Sequence, residues 1–323
     1  MPNDETTSFL AARAPWRSRR RSCEARQVAR QIPIRPRAVP WASDTMASPI
    51  GTDAMTSQPL TRPFPRFAST VPHYVAGRPN YAPSLIRMVK EHLHLSATDR
   101  LLDLGCGPGW LGIAFAPFVR TVVALDPEPA MLEAAKAAAA EAEVRIELIE
   151  GSSFDLGPHL GMFQVVTIGR AFHWMDRDDA LRRLDGLIEP TGAVILFNDT
   201  RPEVPENAWY KRYIELVESY GSSDARIPPD RLRHEAILLK SPFNQLERIG
   251  VIERRVIPIE RLVDRALSMS TSSPEALGSL SERLALELPK QMSQFAISGT
   301  VVEVIESQAL IARRGETGAI CTL

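Results

Sequence analysis

An aspartate followed by glycines at alternate positions, Asp103-Leu104-Gly105-Cys106-Gly107-Pro108-Gly109, is the stretch of this chain best equipped for ligand chemistry. Leu101, Leu102 and Leu104 around the acid read as a short buried strand, and Trp110 to Phe115 read as the start of a helix. A strand, a glycine turn and a helix bring backbone N–H groups close to a bound nucleotide. Glycine suits the turn because it tolerates positive φ and puts no side chain between backbone and ligand. Gly107-Pro108-Gly109-Trp110-Leu111-Gly112 also satisfies the G-x-G-x-x-G pattern of dinucleotide sites, which alone is a weak signal. Asp103 separates the two ligand chemistries, since a carboxylate there repels a pyrophosphate and attracts an ammonium or a sulfonium.

S-adenosylmethionine carries both of those cations together with an adenosine and a carboxylate, so the Asp103-x-Gly105-x-Gly107-x-Gly109 pattern matches it better than it matches NAD. The stretch resembles motif I of the class I S-adenosylmethionine-dependent methyltransferases, and the similarity runs from about Tyr74 to Phe197, returning weakly near the C-terminus. The resemblance implies S-adenosylmethionine as cofactor and contacts to it from Asp103, Gly105, Cys106, Gly107 and Gly109. It also implies contacts from Arg170 and Ala171, just beyond the fourth strand. Thr121 to Asp126 reads as a second strand ending in an acid. Asp126 there can accept both ribose hydroxyls, whichever nucleotide is bound. It equally suits a helix N-cap ahead of Pro127.

Three further blocks carry the resemblance. Tyr74-Val75-Ala76-Gly77-Arg78-Pro79-Asn80-Tyr81 is similar to the lead-in of small-molecule enzymes like trans-aconitate methyltransferase, with Ala82 in place of the usual proline. The resemblance lays Tyr74 and Arg78 over the methionine end of the cofactor, where a guanidinium can grip the carboxylate with two hydrogen bonds. The alternative is a packing tyrosine and a surface arginine. Gly151-Ser152-Ser153-Phe154 corresponds to the loop that covers the adenine. Ser152 stands where the family usually has an acid, so it offers a hydrogen bond without charge. Phe154 reads equally as a purine stacker and as core. Phe172-His173-Trp174 resembles the signature following the fourth strand, which implies that His173 sits near the reacting methyl and is the candidate base. A structural histidine is the competing reading, and Trp174 reads as a wall or a packing residue.

The elements that must position these residues alternate. Strands are expected at 101–104, 121–126, 144–150, 163–169 and 193–197, with helices over 83–94, 130–143 and 179–188 and a turn at Glu189–Gly192. Alternating strands and helices imply an α/β fold, a doubly wound, mostly parallel, seven-stranded Rossmann-like sheet. Strands six and seven are expected at 247–257 and 300–313, and prolines at 202, 205, 228 and 229 mark residues 200–250 as a helical insertion lidding the cleft. Its Trp209, Tyr210 and Tyr213 read by default as core. Helix-like segments follow near 229–239 and 259–269, and Arg265 to Ser273 resembles the serine-rich stretch of the same branch. The domain is expected over 63–323, with its core at 98–199 and its last strands at about 251–323.

Residues 1–62 differ in kind. Nine arginines against five acids give the first 60 residues a surplus of four positive charges, while the whole chain of 323 residues carries −1. Such a Pro- and Arg-rich segment cannot bury enough surface to offset its ordering entropy, so disorder is expected. A targeting peptide and a start at Met46 or Met55 are both open readings. The basic character lies outside the folded part, which argues against a nucleic-acid partner. A hydrophobic content of 44% with 24% charged residues fits a globular protein, and no apolar run approaches the ~20 residues of a membrane helix. Cys23, Cys106 and Cys321 make neither a disulfide framework nor a zinc site, so a cytoplasmic setting without metal is expected. The expected activity is methyl transfer to a small molecule, with oligomeric state left open. The rivals are an NAD-dependent oxidoreductase and a non-catalytic cofactor-binding relative.

Overall fold

The computed structural model describes residues 67–221 and 233–315. The expected disorder of 1–62 and the start of the helix expected at 229 lie outside the described residues. The described chain builds a seven-stranded sheet from β1 (Arg100–Leu104), β2 (Thr121–Asp126), β3 (Glu147–Glu150), β4 (Phe163–Gly169), β5 (Ile188–Thr200), β6 (Gln245–Pro258) and β7 (Thr300–Arg313). Their order is β3-β2-β1-β4-β5-β7-β6. The first five run parallel, and β7 lies antiparallel between β5 and β6. This is the Rossmann-like sheet expected from the alternation.

The strand order decides where a ligand can go. From β1 the chain steps outward to β2 and β3, then returns to place β4 on the other side of β1. Connections leave the carboxyl ends of β1 and β4 in opposite directions, and ligands of open α/β sheets bind in the crevice so formed. The glycine loop, the end of β2 and the Arg170–His173 block all lie at that edge.

Side chains alternate across the strands, so neighbouring residues feed different cores. Leu102, Leu104, Val123 and Leu125 join Phe163, Val166 and Leu184 on one face. Leu101, Val122, Val165 and Ile195 join the other, under α2 (Pro83–His92) and α3 (Trp110–Phe115). Burial on both faces explains why these strands read as continuous apolar runs. A third cluster is helical. α6 (Ala208–Tyr220), α8 (Ile259–Leu267) and α10 (Leu280–Met292) pack around Trp209, Tyr213, Leu262, Leu284 and Leu288. Trp209 is 2% exposed and its indole N–H donates to the Val302 carbonyl at 2.7 Å, which ties α6 to β7. α6 thus belongs to a packed layer, and Trp209 and Tyr213 serve that core. The sequence pattern left α10 unassigned.

Several boundaries depart from expectation, and the helix expected over 179–188 runs Arg177–Asp185 with Ile188 already in β5. β3 begins at Glu147 and not Val144, because α4 (Pro129–Glu141) ends in a left-handed Glu143 (φ 55°), with the Val144 amide donating back to Ala139. That closure commits 142–144 to capping the helix. The turn expected at Glu189–Gly192 is instead a bulge within β5, since Phe163 pairs with Ile188 and Val165 with Ala193. The ladder resumes beyond the extra residues, as bulges allow. A Cβ on Gly192 would lie 2.7 Å from the Gln164 carbonyl.

Candidate active site

The glycine loop takes its shape from left-handed backbone at Gly105 (φ 68°), Gly107 (φ 54°) and Gly109 (φ 76°). A Cβ at 105 would come within 2.7 Å of the Ala171 methyl, so the loop can lie against the end of β4 only as glycine. The amides of Gly105 and Cys106 both donate to the Leu125 carbonyl, which pins the loop to β2. Asp126 holds it from the other side. Its Oδ2 accepts from the Gly107 amide at 2.8 Å and its Oδ1 from the Glu128 amide at 2.9 Å. Burial raises the Asp126 pKa, and the hydrogen bonds from Glu128 and Gly107 oppose that rise.

Before this loop opens a cavity of about 1390 Å³. Sites for single small ligands measure roughly 300–1,000 Å³, so the space accommodates a cofactor with a second molecule. Of the residues singled out in the sequence, Tyr74, Arg78, Gly105, Gly107, Asp126, Ser152, Ser153, Phe154, Arg170, Ala171 and His173 line it. Asp103 and Cys106 do not, and line a small void behind the loop instead. Gly109 borders neither and shapes the start of α3.

Asp103 is 1% exposed. Its Oδ2 accepts from the Gly112 amide and its Oδ1 from the Thr167 hydroxyl, both at 2.9 Å, so it joins β1 to α3 and β4. Burial pushes its carboxyl up to about 7 against those hydrogen bonds. The Cys106 thiol is raised well above the ordinary range by burial and by Asp103 and Asp126, and stays protonated.

At the end formed by the loop after β3, Phe154 is 42% exposed at the rim, which removes the reading of it as core. Ser152 caps the turn Ser153–Asp155, and both its amide and its hydroxyl donate to Asp155 Oδ2 at 2.8 Å. Those bonds hold Asp155 below the usual carboxylate range. The acid missing at 152 therefore reappears three residues on, in the cavity wall. The signal was a capping box, Ser152-x-x-Asp155, whose acid lies third after the cap.

α1 (Val71–Gly77) brings Tyr74 and Arg78 over the opposite end. Arg78 Nε donates to the Ser268 hydroxyl at 2.8 Å, and its guanidinium lies 5.4 Å from the Tyr74 ring. The serine-rich stretch after α8 thereby acquires a place in the site. Beyond β4, Arg170 takes a left-handed φ of 54° and pairs with Asp199 at 3.1 Å, stacked 4.6 Å from the Tyr81 ring. His173 lines the cavity from the short turn Phe172–Trp174, its ring 4.8 Å from that of Trp174. Asp199 and Arg201, which sequence reasoning did not single out, line the cavity as well. They sit at the carboxyl end of β5, the position that could have drawn attention to them.

A family model described as a methyltransferase domain matches residues 101–192, the span from β1 into β5. An uncharacterised methyltransferase of Mycobacterium tuberculosis is 28% identical over 204 residues, covering 63% of this chain and 76% of the relative. Residues 101–192 thus match a methyltransferase domain. A probable S-adenosylmethionine-dependent methyltransferase of Saccharomyces cerevisiae is 26% identical over 193 residues, 53% of this chain and 66% of that one. A solved structure assigned as a type II methyltransferase, from Anaeromyxobacter dehalogenans, shares the methyltransferase fold with a TM-score of 0.54 at 20% identity, over 73% of this chain and 97% of that one. Among the described residues no helix is long and apolar enough to cross a membrane.

Proposed function

We propose that this methyltransferase acts on a small-molecule acceptor, converting S-adenosylmethionine to S-adenosylhomocysteine (EC 2.1.1.-). The observation that carries this reading is one cavity bordered by the glycine loop, by Asp126 and by the His173 block, with room for two ligands. Asp126 keeps lone pairs beyond those used by Gly107 and Glu128, and these can accept the ribose hydroxyls. Phe154 stacks on the purine while Ser152, Ser153 and Asp155 take its polar edge. Arg78, with Tyr74 beside it, grips the cofactor carboxylate. Asp103 acts from below the loop as the buried counter-charge to the cofactor's cations, and Gly105, Cys106, Gly107, Gly109 and Ala171 give the loop its shape.

When bound, the cofactor supplies an electrophilic methyl carbon, so the protein's task is to align the acceptor and exclude water. His173 is the residue for taking a proton from a hydroxyl, amine or carbon acid, while a carboxylate nucleophile needs no base. The net negative charge outside the first 60 residues supports a small molecule over nucleic acid as partner.

Calorimetry with S-adenosylhomocysteine and NADH tests the cofactor: heat with the thioether and none with the dinucleotide is expected, and the reverse removes the reading. Asp126→Ala is expected to weaken cofactor binding about tenfold, the scale of a lost charged hydrogen bond. His173→Ala should lower turnover and leave cofactor binding nearly intact. Weaker cofactor binding with unchanged turnover would rule out its role at the methyl.

A further inference from the structure

Five charged side chains join one another at the ends of β4, β5 and α8. Glu303 on β7 is 0% exposed and Arg265 on α8 is 4% exposed. The Glu303 Oε1 accepts from Arg265 Nη1 at 2.7 Å and from Arg201 Nε at 3.0 Å. Arg201 Nη1 donates to Asp199 Oδ2 at 2.6 Å, and Asp199 Oδ1 pairs with Arg170 Nε at 3.1 Å. The series thus runs Arg265, Glu303, Arg201, Asp199, Arg170, and each end of it grips backbone. Arg265 Nε donates to the Gly77 carbonyl at 3.3 Å, and Arg170 Nη2 donates to the Pro79 carbonyl at 2.6 Å. The residue between those two carbonyls is Arg78.

Arg265 holds Arg78 by a second route. Arg78 Nε donates to the Ser268 hydroxyl at 2.8 Å, and that hydroxyl donates in turn to the Arg265 carbonyl at 2.7 Å. Arg265 therefore fixes both the backbone entering Arg78 and the partner of its guanidinium. Nε and Nη2 of Arg78 face Ser268, and Nη1 makes no hydrogen bond among the described residues. Arg78 lines the cavity, whereas Arg265 and Glu303 do not. A planar guanidinium can bridge a carbonyl and a carboxylate in one fixed fork, which an ammonium cannot reproduce. The fork of Arg265 is aimed by Glu303. Without that carboxylate, two guanidiniums at this end lose a shared counter-charge, and a buried charge left unpaired is strongly unfavourable. Glu303 is itself firmly seated, since the Val302 carbonyl accepts from Trp209 at 2.7 Å and the Val304 amide donates to Asn207 at 2.9 Å.

We propose that Glu303 and Arg265 are positioning residues which, through Gly77 and Ser268, set Arg78 to receive the carboxylate of the cofactor. This deepens the methyltransferase reading and rests on its assignment of Arg78. The test uses the full chain and calorimetry with two ligands, S-adenosylhomocysteine and methylthioadenosine. Both carry the adenosine and the thioether, and the second lacks the amino acid. Glu303→Gln keeps the shape and removes the charge, while Arg265→Lys keeps the charge and removes the fork. Each is expected to raise the S-adenosylhomocysteine Kd about fivefold, within the range of coupling inside one hydrogen-bonded network, and to leave the methylthioadenosine Kd within about twofold. Glu303→Asp, which keeps the charge, should recover part of the loss. In an Arg78→Met background Glu303→Gln should add nothing further. Should Glu303→Gln lose its fold, Arg265→Lys alone and combined with Arg78→Met gives the same two readings. Equal weakening of both ligands, an unchanged S-adenosylhomocysteine Kd, or the full loss repeated in the Arg78→Met background would overturn the positioning role. Arg78→Met binding S-adenosylhomocysteine as tightly as the wild type would instead overturn the assignment of Arg78, and failure of the wild type to bind it would overturn the methyltransferase reading itself.

Discussion

Asp103 shows how a residue chosen for its charge can serve the fold first. Both its oxygens hold neighbouring elements, and burial raises its carboxyl from an ordinary 3.8 to about 7. The folded-state value lies above the unfolded one. Its contribution to stability is therefore fully present below about pH 4 and is lost as the pH rises through about 7. Asp103→Asn keeps an acceptor for Gly112 and does not titrate. Urea unfolding across pH 4 to 8 should show the wild type losing stability relative to this variant, by up to about 4 kcal/mol. Parallel curves would place the titration elsewhere. Gly105 gives a prediction of the opposite kind, from geometry alone. An added Cβ meets both a left-handed φ and the Ala171 methyl, so Gly105→Ala should cost about 1–3 kcal/mol and weaken cofactor binding, read by thermal melting and calorimetry.

At the scale of elements, the site depends on contacts between segments far apart in the chain. α1 lies against α8 so closely that a Cβ on Gly77 would fall 2.1 Å from the Arg265 backbone nitrogen. His73 with Asp264 at 2.9 Å and Arg261 with the Ala76 carbonyl at 2.5 Å fasten the same pair. Gly77→Ala must move α1, and Tyr74 and Arg78 with it. The expected result is weaker S-adenosylhomocysteine binding in calorimetry with an unchanged far-ultraviolet circular dichroism spectrum. An unaffected Kd would detach α1 from the cofactor. Trp209 supports the facing wall from the helical layer, and removing it leaves a large hole and an unpaired Val302 carbonyl. Trp209→Ala should cost about 3–5 kcal/mol in urea unfolding.

Across the whole molecule, the expected division is between a basic segment and an acidic folded remainder. Deleting residues 1–62 is expected to leave the S-adenosylhomocysteine Kd unchanged, and a lost or weakened Kd would mean that the segment takes part in the site. Within the folded part, β1, the glycine loop and α3 were legible because they are local. Apolar runs, φ-tolerant glycines and an acid at a strand end act on residues a few positions apart, and Asp126 was singled out through such a neighbourhood, whereas Phe154 and His173 were singled out through the family resemblance. The same local rules misread Glu189–Gly192 as a turn, because only pairing with β4 tells a bulge from a strand end. They were silent on the arginine cluster behind the end of β5, where Arg201 meets Glu303 across 102 positions and Arg265 meets it across 38. Sequence by itself determined the alternation that makes the sheet and the glycine loop at the end of β1, since both follow from short-range backbone and burial preferences. Which charges gather at the ends of β5 and α8 was decided by tertiary structure alone, because the antiparallel return of β7 beside β5 and the seating of α8 bring those residues together, and neither leaves a periodic trace in the chain.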